Sequence, residues 1–289
     1  MKNTILRILV FIGLSLAMLL MPFGKAAAET TGSGIRKTTV KGSSTLVERV
    51  QAAPDFHAVA ASRGVGVIIG GTDQLVIEAN DNLIDYLIVE VERGKLTITI
   101  DDKINVRNAH VIVKIPYNGK IDAIQGSSAA SIRTEQALKA DEMDIRLSSA
   151  ASLDAALKAE RCTIQLSSAA EMKCVGDIST CSITASSAAE MTASLTVHAL
   201  HANLSSSAEL EISGSCETLN AQLSSAAELE AFKFEVRNTA KVTGSSGSSA
   251  FVNCAEALTA HASSGASICY KGDCRVDAHK SSGGSVYKR

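Results

Sequence analysis

The stretch that decides the fold reads SSAAEMKCVGDISTCSITA over residues 167–185, SSAAEMTASLTVHALHANL over 186–204 and SSSAELEISGSCETLNAQL over 205–223. Each segment opens on two serines and two small residues, and each is 19 residues long. The same opening recurs outward in both directions, with copies starting at Ser127, Ser148, Ser167, Ser186, Ser205, Ser224, Ser245, Ser263 and Ser281. The steps between them are 18 to 21 residues. A near-fixed period of this length marks a repeat architecture, in which one turn of chain stacks on the next.

Within a segment the apolar period is 2. After the small residues comes an inward position, occupied by Ile132, Leu153, Met172, Met191, Leu210, Leu229, Ile268 and Val286. A second follows two residues on at Ala155, Cys174, Ala193, Ile212 and Ala231. A turn is expected next, and then a second strand with inward triplets such as Cys162-Ile164-Leu166, Cys181-Ile183-Ala185, Leu200-Ala202-Leu204 and Leu219-Ala221-Leu223. Alternation of this kind is a half-buried β-strand, and the 3.6-residue period of a helix is missing. The reading is an all-β parallel β-helix, or β-solenoid, of about 19-residue rungs with two or three short strands per turn. Rungs stacked ~4.8 Å apart would rise roughly 40 Å over nine turns.

The residues between the inward triplets are polar throughout. They include Thr163, Gln165, Thr184, His201, Asn203, Asn220, Gln222 and His261, which are the candidate binding face. The corner serines are expected to be structural. Small side chains suit directly stacked corners, and serine hydroxyls bond to backbone at turns. None lies in a G-x-S-x-G elbow, and no His or acid follows them at a fixed offset.

Upstream, residues 65–69, 74–79, 87–92, 95–101 and 109–115 also read as strands, but without the 19-residue period. Residues 29–45 are rich in Thr, Gly, Ser and Lys and read as a flexible leader. Residues 1–28 read as a secretory signal peptide. Lys2 and Arg7 precede an apolar run from Ile8 to Phe23, and Ala26-Ala27-Ala28 supplies the cleavage site. The organisation is therefore a signal peptide (1–28), a leader (29–45) and a single β-helix domain (46–289). Cleavage would leave 25 basic and 30 acidic residues, with no basic cluster, which argues against nucleic acid as a partner.

The order FHAVAASRGVGVIIGGTDQLVIEANDNLIDYLIVEVERGKLTITI, then HVIVKIPYNGKIDAIQGSSAASI, then serine-rich rungs, resembles the GIN domain family, the head domain of auto-transporter adhesins. The resemblance spans roughly Val47 to Val286. It implies a right-handed β-helix, and an exported protein of a Gram-negative bacterium in the periplasm, on the outer-membrane surface or outside the cell. It also implies an adhesin-like binding module. The residues run to Tyr287-Lys288-Arg289 directly after the last corner, and on this reading no translocating barrel is expected.

Glu171, Glu190, Glu209 and Glu228 fall at strict 19-residue steps and would stack as a carboxylate ladder. Carboxylates ~4.8 Å apart repel by about 1 kcal/mol in water. Hard oxygen ligands suit Ca²⁺, but no Ca²⁺ loop or nonapeptide repeat accompanies the ladder. The four glutamates are thus the only candidate metal ligands, a solvated face is the simpler reading, and no cofactor is expected. Cys162 and Cys181 share an inward column and could be a disulfide or two core thiols, and Cys269 and Cys274 could close a small loop. Three function classes follow. The first is a non-enzymatic surface or periplasmic module binding a glycan or a cell-surface protein by its flat polar face. The second is a carbohydrate-active lyase or hydrolase, which would need clustered carboxylates and aromatic platforms. The third is a structural unit assembling with copies of itself through the solenoid ends.

Overall fold

A computed structural model describes residues 37–289. The expected signal peptide and residues 29–36 of the expected leader lie outside the described residues. The fold is the parallel β-solenoid read from the repeat, preceded by non-repetitive strands.

Five long strands make the middle of the solenoid: Ser152–Leu166, Glu171–Ala185, Glu190–Leu204, Glu209–Leu223 and Glu228–Gly244. Each pairs in parallel with the next, and equivalent repeat positions are direct partners. Glu171 faces Glu190, Cys162 faces Cys181, and Asn203 faces Gln222. Ile164, Ile183, Ala202 and Ala221 are all at most 1% exposed, so one closed apolar core runs through the stack.

In the five long strands the turn expected inside the rung is not a turn, whereas the rungs of Ser131–Thr134, Ser249–Cys254 and Ser267–Lys271 do break there. In the long strands the chain continues as strand and bends where two successive residues both point outward, as at Glu160-Arg161 between buried Ala159 and buried Cys162. Pairing skips one residue at the bend, Glu160 in one rung and Ser179 in the next. The apolar period of 2 simply slips by one residue there, and no turn chemistry is needed.

The Ser-Ser corners do break the strand. In six of them the second serine and the following residue both have positive φ, from +51° and +60° at Ser128 and Ala129 to +53° and +58° at Ser225 and Ala226. The fourth residue donates back to the first, as Ala151 N does to Ser148 O at 3.1 Å. Two positive φ values with this bond are the pattern of a type I′ turn. Each non-glycine residue in the left-handed region costs roughly 1–2 kcal/mol. A spine of backbone hydrogen bonds between rungs offsets that strain. Ala150 N donates to Ser168 O (3.0 Å), Ala169 N to Ser187 O (3.0 Å) and Ala188 N to Ser206 O (3.0 Å). The last three corners place Gly247, Gly265 and Gly283 at the strained third position instead. The fourth position, held by Ala130, Ala151, Ala170, Ala189, Ala208 and Ala227, is buried, and this is why the motif ends on a small residue. Bonding in this spine is backbone to backbone. The second serines are exposed and their hydroxyls face solvent, whereas Ser248 Oγ ties its corner as expected, accepting from Ser245 N at 3.1 Å and donating to Leu223 O at 3.4 Å.

A second size rule runs through the first half of each rung. The stacked positions Leu157, Gly176, Leu195, Gly214 and Phe234 alternate large and absent side chains. A Cβ on Gly214 would sit 2.0 Å from the Leu195 carbonyl oxygen.

The solenoid begins earlier than its serine repeat. Ala58–Ala61 and Gly66–Ile69 form a rung whose corner, Ser62-Arg63-Gly64-Val65, has φ +61° at Arg63 and +74° at Gly64. This rung pairs with Ala123–Gly126 and Ser131–Thr134 on one side, and with parts of Lys95–Ile100 and Val111–Ile115 on the other. Antiparallel strands close this end. Leu75–Asn80 pairs with Leu46–Gln51 and with Val111–Ile115, and Leu87–Glu92 pairs with Lys95–Ile100. Thr38–Lys41, placed in the leader by its composition, is instead a strand paired with Ile104–Arg107. Buried Asn80 explains the order there: its Nδ2 donates to Ser43 O, and its Oδ1 accepts from His110 N, both at 2.7 Å.

Candidate functional site: a flat polar face

The second half of each rung presents two outward columns, and the parallel register fixes their membership. One runs Asp144, Thr163, Ser182, His201, Asn220, Lys241, Thr259, Asp277. The other runs Arg146, Gln165, Thr184, Asn203, Gln222, Thr243, His261, His279. Beneath them the inward residues are packed, so the side chains stand on a rigid sheet. Neighbours in a column are ~4.8 Å apart, and the two columns are two residues, ~6.6 Å, apart along each strand.

Seven of the eight residues expected from the sequence form one continuous block: Thr163, Gln165, Thr184, His201, Asn203, Asn220 and Gln222. Ser182 completes it. His261 lies in the same column as Gln222 but two rungs beyond, across Thr243. Its ring stacks on that of His279, with centroids 4.7 Å apart and planes 18° apart. The central block carries only hydroxyl, amide and imidazole groups. Charges flank it. Arg146 pairs with Asp144 at 2.8 Å and Arg161 pairs with Glu142 at one end, while His279 approaches Asp277 at 3.6 Å at the other.

Sequence reasoning missed the second wall of this face. A shallow trough runs along the solenoid axis between the second column and the first serine of the corners up to Ser186. Arg146, Gln165 and Thr184 line one side, and Ser148, Ser167 and Ser186 the other. It continues toward the first rung along Gln125, Ser127, Thr97 and Ser62. The signal was present in the serine repeat itself, which reads as structural because its spacing is structural.

The carboxylate ladder lies on the other side of the corner. Glu171, Glu190, Glu209 and Glu228 are in register and all exposed. Glu211 and Glu230 share that outward side, and Lys233 Nζ reaches Glu211 at 3.3 Å. Among the described residues no three His, Cys, Asp or Glu side chains converge as a metal site would require.

Two His–carboxylate pairs lie in the first part of the chain. His57 Nδ1 is 2.9 Å from Asp122, whose hydrogen bond and charge raise the pKa of the imidazole. Its ring packs against Gly94, where an added Cβ would come within 2.5 Å of Cδ2. His110 Nε2 is 2.7 Å from Glu78. Both pairs join neighbouring segments of the capped end.

One outward aromatic cluster escaped the sequence reading. Phe232 and Phe251 meet edge to face at 5.5 Å, with Lys271 Nζ 5.5 Å and Arg289 Cζ 5.2 Å from the Phe232 ring centre. The 21-residue step between Ser224 and Ser245 was its signal, because the extra residues form a bulge between Ala231 and Glu235. The two cations hold Phe232 against the last rungs.

Architecture and face together define a β-solenoid that offers a regular hydrogen-bonding surface. The chain belongs to the GIN domain family. The model described as "Putative auto-transporter adhesin, head GIN domain" matches residues 55–198 and 180–274. Among solved structures, a "putative adhesin" from Parabacteroides merdae ATCC 43184 is 20% identical, with a TM-score of 0.65, covering 87% of this chain and 99% of its own. A "putative adhesin" from Parabacteroides distasonis ATCC 8503 is 19% identical, with a TM-score of 0.67, covering 87% and 100%. A "Putative lipid binding protein" from the same organism is also 19% identical, with a TM-score of 0.62 and the same coverage. At these identities the likeness is one of fold. No curated protein matches the chain.

Proposed function

We propose that this protein is a non-enzymatic, exported, adhesin-like module that binds a neutral glycan along its flat polar face. The observation that carries the reading is the uncharged block from Thr163 to Gln222, extended by the serine-walled trough. Hydroxyls and amides can each donate and accept, which suits the hydroxyl pattern of a sugar. Repetition along one axis suits a polymer, since each rung repeats the contact of the last. Export rests on the pattern of residues 1–28 and on the family, and the same two features favour the periplasm or the surface of a Gram-negative cell. Lipid binding has less support. The inward columns of the middle rungs are filled by their own side chains, whereas a lipid chain needs an apolar cavity.

A glycan and extracellular-matrix array probed with the purified protein, with and without Ca²⁺, tests the proposal. Binding to one class of neutral polysaccharide, unchanged by Ca²⁺, supports it. Turnover of a polysaccharide, or binding confined to protein ligands, refutes it.

A further inference from the structure

The solenoid's last rung, Arg275–Lys280 and Ser285–Lys288, is held from one side among the described residues, and all but two of its residues are exposed. Three cysteines lie beside it. Sequence spacing suggests Cys269 with Cys274, but the fold points elsewhere. Asn253 is the register partner of Lys271, so Cys254 sits beside Gly272. The last turn presses onto it: Gly272 has φ +100°, and a Cβ there would lie 2.1 Å from the Cys254 carbonyl oxygen. Cys254 is fully buried, and Cys274 is half-buried against the same core. Cys274 is the thiol neighbouring Cys254, whose own Sγ donates to Ala257 O at 3.1 Å. Cys269 instead belongs to the column of Phe251 and Tyr287.

We infer that Cys254 and Cys274 are a disulfide-forming pair that staples the last rung to the one beneath it. The co-reactant is a disulfide oxidant such as oxidised glutathione. The Cys274 thiolate attacks the oxidant, forming a mixed disulfide and releasing one glutathione thiolate. The Cys254 thiolate then attacks the Cys274 sulfur and releases the second. Two thiol protons go to solvent or to the released thiolates, and two electrons reduce the oxidant to two thiols. Cys274, the more exposed of the two, is the point of entry. Burial beside Cys274 pushes the Cys254 thiol up to about 11, so closure of the bond speeds up with rising pH. The other adjacent pair, Cys162 and Cys181, is buried in the middle of the stack, beyond the reach of an oxidant in the folded protein.

The test is oxidation of the folded, reduced full chain with oxidised glutathione, followed by alkylation and peptide mass mapping. Cleavage after Lys241, Glu256, Lys271 and Arg275 puts Cys254, Cys269 and Cys274 on separate peptides. The expected product is a link between residues 242–256 and 272–275, with a mass loss of about 2 Da. It is lost in Cys274→Ser and kept in Cys162→Ser. Hydrogen exchange at 275–280 and 285–288 should slow by roughly tenfold or more on oxidation and recover with dithiothreitol. A link from 257–271 to 272–275 overturns the inference. So does a persistent glutathione adduct on Cys274 with Cys254 still alkylatable.

Discussion

Leu204 and Asn203 are chain neighbours on opposite sides of one strand, and placing aspartate at each probes the register directly. Leu204 is 2% exposed and stacks between Ala185 and Leu223 in an inward column. Removing such a leucine costs about 2–5 kcal/mol through lost transfer energy and the cavity left behind. The introduced carboxyl finds no partner in that column, and an unpaired buried polar group adds about 1–3 kcal/mol even when it stays protonated. The sum is comparable with the whole stability of many domains, about 5–15 kcal/mol. Leu204→Asp should therefore unfold its own rung and its neighbours. Asn203 is exposed between Thr184 and Gln222, and Asn203→Asp should change stability by less than about 0.5 kcal/mol. The pH dependence carries the sign. In Leu204→Asp, burial raises the folded pKa of the introduced carboxyl above its unfolded value, so the folded state binds more protons than the unfolded state between the two. Stability then falls as pH rises through that window, by about 1.4 kcal/mol per unit. Thermal melts from pH 7 to pH 5 should show Leu204→Asp recovering stability, while Asn203→Asp tracks the wild type. Equal melting temperatures for the two variants would refute the assigned register.

The corners, the glutamate ladder and the capped end each carry an expected outcome of their own. Ala188→Gly relieves a left-handed residue and should raise stability by about 1 kcal/mol or slightly less, while Gly265→Ala should lower it by a similar amount although a methyl group there meets nothing within 4 Å; opposite shifts in denaturant midpoint check this. Replacing Glu190 and Glu209 by Gln should stabilise by less than about 1 kcal/mol, and millimolar Ca²⁺ should not move the melt of either protein; a Ca²⁺-dependent gain lost in the variant would show that the ladder holds cations. Because Asp122 raises the pKa of His57, their pairing should stabilise the fold fully below the unfolded histidine value near 6.5 and fade as pH rises through the raised folded value; an NMR titration of His57 that shifts downward in Asp122→Asn checks it.

The repeat was legible because a parallel stack enforces one residue type per column. Inward Ile164 and Ile183 and outward Gln165 and Thr184 announce their sides by chemistry alone, and the strands at 75–80, 87–92, 95–100 and 111–115 announce themselves by alternation. What escaped is set by contacts between segments distant in sequence. The corner at Ser62-Arg63-Gly64-Val65 has the backbone of the later corners but only the first of their two serines, so no repeat search finds it. Thr38–Lys41 looks like linker because its partner, Ile104–Arg107, lies more than 60 residues away. The bend at Glu160-Arg161 resembles a turn because a period of 2 that slips by one residue looks like an interruption. The binding face is half legible. Its outward columns can be read, but the trough arises only when the corner hydroxyls, freed by a backbone spine, line up beside those columns. Cys254 and Cys274 do not pair on sequence grounds because the stacking of one turn on another, and not their spacing, brings them together.

The most direct test of the proposed binding face is hydrogen exchange of the protein with and without the polysaccharide it binds best on the array. Slowed exchange is expected only in the second half of consecutive rungs, residues 163–166, 182–185, 201–204 and 220–223, and in the corner serines that follow them. The first halves, including Glu171–Lys173 and Glu190–Thr192, should be unchanged. Protection centred on the glutamate ladder, or on the antiparallel strands at 46–51 and 87–92, would contradict the proposed face.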